Sequence, residues 1–166
     1  MKLLITVDAG NNGAVAAWIY DENSVSVIAM HSIDSFRDFT PQLVEILNGI
    51  EASIRAKSIA VDGKQAVVID QNVGYIAKCG PASFHVLRLV GEAFGVLVAK
   101  GYDTRRIVYS KMKAGILPTE AWGPGSVKKM VNKIKGDVSV TLLENRPIAE
   151  INVVAMGYYI TFISGW

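Results

Sequence analysis

The sequence holds a single cysteine, Cys79, which excludes an internal disulfide and suits a reducing compartment. Histidines are nearly absent: His31 and His85 are far apart, match no metal-ligand spacing and read as structural residues. No apolar stretch approaches the ~20 uncharged residues that a membrane-spanning helix requires. The nearest candidate, Val153 to Trp166, reads as a core helix, so no membrane partner is expected. The start carries one lysine and then strand-like sequence, without the pattern of a cleavable signal, so the expected address is cytoplasmic. Repeats, low-complexity tracts and linkers are lacking too. A chain of 166 residues with 51% hydrophobic residues therefore reads as one domain, 1–166, with a proper core.

Net charge is only +2, but its distribution is uneven. Residues 1–99 carry 7 Lys/Arg against 10 Asp/Glu, residues 100–136 carry 9 against 2, and residues 137–166 carry 1 against 3. An acidic frame around a basic segment suits a protein that holds cations at one place and phosphates beside it. Lys111, Lys113, Lys128, Lys129, Lys133 and Lys135 are the phosphate-contact candidates, with Lys128–Lys129 and Lys133 one helical turn apart.

Periodicity predicts the order βββαβαβα. Strands are expected at Lys2–Asp8, Ala14–Tyr20 and Ser24–Met30, joined by turns at Asn11-Asn12-Gly13 and Asp21-Glu22-Asn23. Thr40-Pro41 looks like a helix start, followed by Leu43, Ile46, Leu47, Ile50 and Ile54 at helical spacing. Asp62-Gly63-Lys64 reads as a turn and Ala66–Asp70 as a buried parallel strand. Pro81 opens a long apolar helix to about Lys100, and Arg105–Ser110 is a fifth strand. Residues 111–126, rich in Gly and Pro, read as a loop, Val127–Lys135 as a basic helix and Pro147–Ile163 as a final helix. The implied fold class is α/β, a mixed five-stranded sheet with three antiparallel strands and then parallel ones, flanked by helices.

Two strands end on acids, Asp8 and Asp70. Sites in open α/β sheets form outside the carboxyl ends of strands, so adjacent strands are expected to bring both carboxylates into one crevice. Carboxylates suit Mg²⁺, and a pair of such ions can activate water for phosphodiester cleavage. Asp8-Ala9-Gly10-Asn11-Asn12-Gly13 also matches the Asp-x-Gly-x-x-Gly phosphate loop of sugar kinases and actin-like ATPases. Those enzymes need two such domains, so a phosphotransferase fragment stays open as an alternative, as does an RNase H-type enzyme cleaving RNA–DNA hybrids.

Val7-Asp8-Ala9-Gly10-Asn11-Asn12-Gly13-Ala14-Val15-Ala16 resembles the first strand and turn of RuvC-type Holliday junction resolvases, phage-type ones especially. Val68-Ile69-Asp70-Gln71-Asn72-Val73-Gly74-Tyr75 resembles their second acidic strand, and Lys111-Met112-Lys113 their lysine-bearing segment near DNA. The resemblance runs from residue 1 to about 163. It implies an RNase H-like fold and a homodimer, paired through the helix 81–100, in a bacterial or phage-infected cell. It also implies nicking of four-way or branched DNA with Mg²⁺, Mn²⁺ substituting, in recombination or repair. Tyr75 resembles an aromatic wedged at the branch point, and Lys78 lies beside it as a further DNA contact. The family normally has Glu where this chain has Asp70, and aspartates on the last helix where this chain has Ala149 and Asn152. The implied metal and catalytic set is therefore Asp8, Asp70, Asn152 and Glu150, with Lys113 beside it. Asn152 brings no charge, and Glu150 lies about 200° around the helix from it. A branched-DNA-binding relative with weakened or no cleavage is the alternative that this substitution raises.

Overall fold

A computed structural model describes residues 1–10, 12–70, 80–118, 125–137 and 146–166. The elements run β1 (Lys2–Asp8), β2 (Ala14–Tyr20), β3 (Val25–Ser32), α1 (Phe39–Ala56), β4 (Gly63–Asp70), α2 (Pro81–Ala99), β5 (Asp103–Val108), α3 (Tyr109–Ile116), α4 (Ser126–Asp137) and α5 (Ile148–Tyr158). The last helix continues into a π-helical turn, Tyr159–Ser164. One mixed sheet forms in the order β3-β2-β1-β4-β5. β1 to β3 pair antiparallel, while β4 joins β1 and β5 joins β4 in parallel. This is the expected mixed α/β sheet.

Alternation along the strands splits the core into two layers. Leu3, Ile5 and Val7 of β1, with Ala9 just after it, pack with Ala66 and Val68 of β4 under α1 and α2. Leu4 packs with Val67, Ile69 and Trp18 against α3, α4 and α5. Thr6 lies on that second face and donates its hydroxyl to the Val153 carbonyl at 2.8 Å, tying α5 to the central strand. Gly157 sets how closely α5 lies on the sheet: a Cβ there would sit 2.0 Å from the Trp18 ring. Trp18 is fully buried.

Four details depart from the sequence expectations. α1 starts at Phe39 after Asp38, and the Thr40 hydroxyl donates to Glu92 on α2 (2.8 Å) instead of capping its own helix. Gly63 and Lys64 belong to β4, because their backbone pairs with Lys2 and Leu3. β3 extends to Ser32. The fifth strand runs Asp103–Val108 instead of Arg105–Ser110, and Tyr109 and Ser110 open a helix, α3, which buries Met112 and Ile116 in place of the expected loop. Gly115, read as a turn signal, serves close packing there: a Cβ would meet the Tyr159 ring at 2.2 Å.

α2 is long and apolar enough to cross a membrane by length and composition. In the fold it buries Leu89, Val90, Ala93 and Leu97 against the sheet layer, and it carries the Arg88–Glu92 ion pair at 3.0 Å. Its other side leaves Phe84 57% and Val98 51% exposed.

Candidate functional site

Asp8 is the last residue of β1 and only 5% exposed. The turn after it is tight: Gly13 donates its N–H to the Gly10 carbonyl at 3.0 Å. A Cβ on Gly13 would lie 2.2 Å from the Asp8 carbonyl oxygen, so the turn admits only glycine at that position. Beyond it opens a crevice of about 520 Å³ between the first turns of α2 and α5, lined by Asp8, Gly10, Ser83, Val86, Ala149 and Asn152, among others. Two helix N-termini therefore face the crevice, and their partial positive charge favours an anion such as phosphate there. Asp8 is the one acid among the described residues lining it.

The Asn152 side chain reaches Asp8 directly. Its Nδ2 donates to Asp8 Oδ2 at 2.9 Å, while its Oδ1 accepts from the Tyr109 hydroxyl, also at 2.9 Å. Tyr109 opens α3, and the Lys113 ammonium lies 4.6 Å from the centre of its ring, one turn along the same helix. Burial, and then the charge of Asp8, push the Tyr109 phenol above its ordinary pKa, so it stays a neutral donor. Sequence reading missed Tyr109, because only the fold brings the end of β5 against α5.

The other expected acids go elsewhere. Asp8 pairs with Ile69 in the β1–β4 register, so Asp70, one residue on, falls on the opposite face. There Arg106, beside β4 on β5, donates to Asp70 at 2.8 Å. The expectation that strand-end acids share a crevice took the strand ends into account and not the pleat. Glu150 is buried against β3, accepting from the Ser32 hydroxyl at 2.5 Å and pairing with Arg146 at 3.3 Å. It does not line the crevice. No group of three or more acidic, histidine or cysteine side chains suited to a metal ion forms among the described residues. With one carboxylate in the crevice, already accepting an amide N–H, these side chains do not fit a pair of divalent cations.

The lysines divide as well. Lys111 on α3 and Lys128 and Lys129 on α4 are exposed. Lys133 instead donates to the Ile116 carbonyl at 3.0 Å, closing the end of α3. Tyr75 and Lys78 lie outside the described residues.

No protein-family model matches the sequence, and no curated protein matches it. Solved structures match over nearly the whole chain. Thermus thermophilus RuvC in complex with a Holliday junction substrate is similar at 10% identity and a TM-score of 0.70, covering 98% of this chain and 94% of that one. A second structure of Thermus thermophilus RuvC reaches a TM-score of 0.60 at 7% identity, covering 95% and 94%. The fowlpox virus Holliday junction resolvase gives 14% identity and a TM-score of 0.54, covering 95% of this chain and 96% of that chain. The fold is thus the RNase H-like fold of RuvC-type resolvases.

Proposed function

We propose that this protein binds branched DNA, four-way junctions foremost, and nicks it as an endonuclease at a rate far below that of a site with a full set of carboxylates. The observation that carries this reading is a resolvase fold whose strand-end crevice, centred on Asp8, is joined through Asn152 to Tyr109 at the start of the lysine-bearing helix α3. Lys111, Lys113, Lys128 and Lys129 neutralise phosphates and set register without reading sequence. The N-termini of α2 and α5 draw a phosphate toward the crevice. Mg²⁺ or Mn²⁺ is the cofactor that the sequence resemblance implies. Loss of a ligand or base of this kind commonly lowers rate by ~10²–10⁴, which is the attenuation expected from Asn152 and from Asp70 turned to Arg106.

A second copy of the chain is the occupant that suits the side of α2 left exposed among the described residues. Phe84 and Val98 are exposed there, and among the described residues nothing lies within 4 Å of a Cβ placed on Gly91 or Gly95. An apolar helix face with small residues suits a two-fold contact, and a dimer presents two crevices to a four-armed substrate.

The test is binding and nicking of a synthetic four-way junction, a linear duplex of the same sequence and an RNA–DNA hybrid. Preferential retention of the junction in EDTA is the expected result, with nicking at most slow, seen only when Mn²⁺ or Mg²⁺ is added together with the DNA, and absent from Asp8→Asn. Equal affinity for duplex and junction refutes the branched-DNA reading. Preferred hybrid cleavage turns it into an RNase H-type enzyme, and thermal stabilisation by ATP with indifference to DNA into a phosphotransferase. Junction binding without product under any metal condition removes cleavage and leaves the binding role.

A further inference from the structure

We propose that Asn152, held by Tyr109, stands in for a cation at Asp8, so that the crevice of this chain is complete without divalent metal. A carboxylate as buried as Asp8 is destabilising unless something of opposite polarity reaches it. In a metal centre that partner is the cation. Here the Asn152 amide N–H reaches Asp8 Oδ2 at 2.9 Å from within the protein.

The orientation of the amide follows from its other end. Tyr109 is a neutral phenol with a proton to donate, and Asn152 Oδ1 receives it at 2.9 Å. A flipped amide would set its oxygen against the Asp8 carboxylate and repel it. Donation therefore runs one way, from Tyr109 through Asn152 to Asp8, across three elements: α3, α5 and β1. The nearby acid on α5, Glu150, is engaged by Ser32 and Arg146 and adds no charge to the crevice. A cation entering at Asp8 Oδ2 would have to turn the Asn152 N–H away and break the Tyr109 bond with it. Tyr109 is thus a positioning residue, acting on Asp8 through Asn152.

This deepens the functional reading above and rests on it only in taking the crevice as the working site. Thermal unfolding, measured without DNA, separates the two. The wild-type chain is expected to melt at the same temperature in EDTA and in millimolar Mg²⁺. Asn152→Asp sets a second carboxylate against Asp8, so in EDTA its Tm falls by roughly 5–15 °C. Mg²⁺ or Mn²⁺ then restores most of that loss, and Asp8→Asn in the same chain removes the metal response. Tyr109→Phe keeps the ring but frees the amide, so this variant too gains a Mn²⁺ response, with Asp8 and Asn152 both native. An Asn152→Asp protein as stable as wild type in EDTA overturns the proposal. So does a wild-type Tm that rises with Mg²⁺ and stops rising in Asp8→Asn. Should Asn152→Asp fail to fold, Mn²⁺ titration of the wild-type protein followed by electron paramagnetic resonance decides: no stoichiometric binding supports the proposal, and one ion lost in Asp8→Asn overturns it. Failure to prefer junctions leaves every one of these melting curves as it is.

Discussion

Gly157→Ala tests the packing that brings α5 to the sheet. The added methyl would lie 2.0 Å from both Cε2 and Nε1 of Trp18 and 2.5 Å from Cζ2. Carbon atoms in contact prefer about 3.5–4.0 Å, so the two groups must part by about 1.5 Å. Trp18 cannot supply that movement, because its indole is fully buried among Leu4, Val67 and the residues of α5. The helix must therefore back away or tilt. Overpacking of this kind costs about 1–3 kcal/mol, and a clash with a rigid ring belongs at the upper end or beyond. The same movement pulls on the Thr6–Val153 bond of 2.8 Å and the Asn152–Asp8 bond of 2.9 Å, four and five residues earlier on the helix. Urea unfolding monitored by tryptophan fluorescence gives the magnitude, and adding Trp18→Phe should recover part of the loss in a double-mutant cycle. A Gly157→Ala protein within about 0.5 kcal/mol of wild type would refute the argument, since only innocuous substitutions fall in that range.

Four further outcomes follow from other parts of the molecule. Burial alone would raise the Glu51 carboxyl, but hydrogen bonds from Tyr102, Lys64 and Lys100 outweigh it and hold the group below its ordinary value of 4.5. A depressed folded-state value stabilises the protein above the unfolded pKa and ceases to do so as pH falls through the folded one. The Tm gap between wild type and Glu51→Gln should accordingly be full at pH 7 and close below about pH 4.5; a gap constant down to pH 3 contradicts the assignment. Replacing Lys128 and Lys129 by alanine should weaken junction and duplex binding alike and lower the slope of log K against log salt by about 0.9 per lost phosphate contact. Lys133→Ala, by contrast, should destabilise α3 with little change in that slope, because its ammonium is committed to the Ile116 carbonyl. Phe84→Glu with Val98→Glu should yield a folded monomer in sedimentation velocity experiments, and an unchanged dimer would place the two-fold contact elsewhere.

What the sequence determined by itself is local and periodic. Lys2–Asp8 and Ala14–Tyr20 were legible as strands because β-branched and apolar residues run unbroken between an acid, glycines and asparagines. α2 was legible because Pro81 starts it and apolar residues recur at helical spacing down to Leu97. Asp8 stood out as a strand-end acid before a glycine turn, and Asn152 as the substitution on the last helix. The tertiary structure decided what those residues meet. Strand pairing put Asp8 and Asp70 on opposite faces, since a shift of one residue reverses a side chain's direction whatever its chemistry. Gly115 read as a chain breaker, yet it is the place where a helix touches the Tyr159 ring, because a missing side chain looks the same in sequence whether it frees a backbone or admits a neighbour. Tyr109 carried no motif at all. It lies 43 positions from Asn152, and only the packing of α3 against α5 lets its hydroxyl decide which end of that amide faces Asp8.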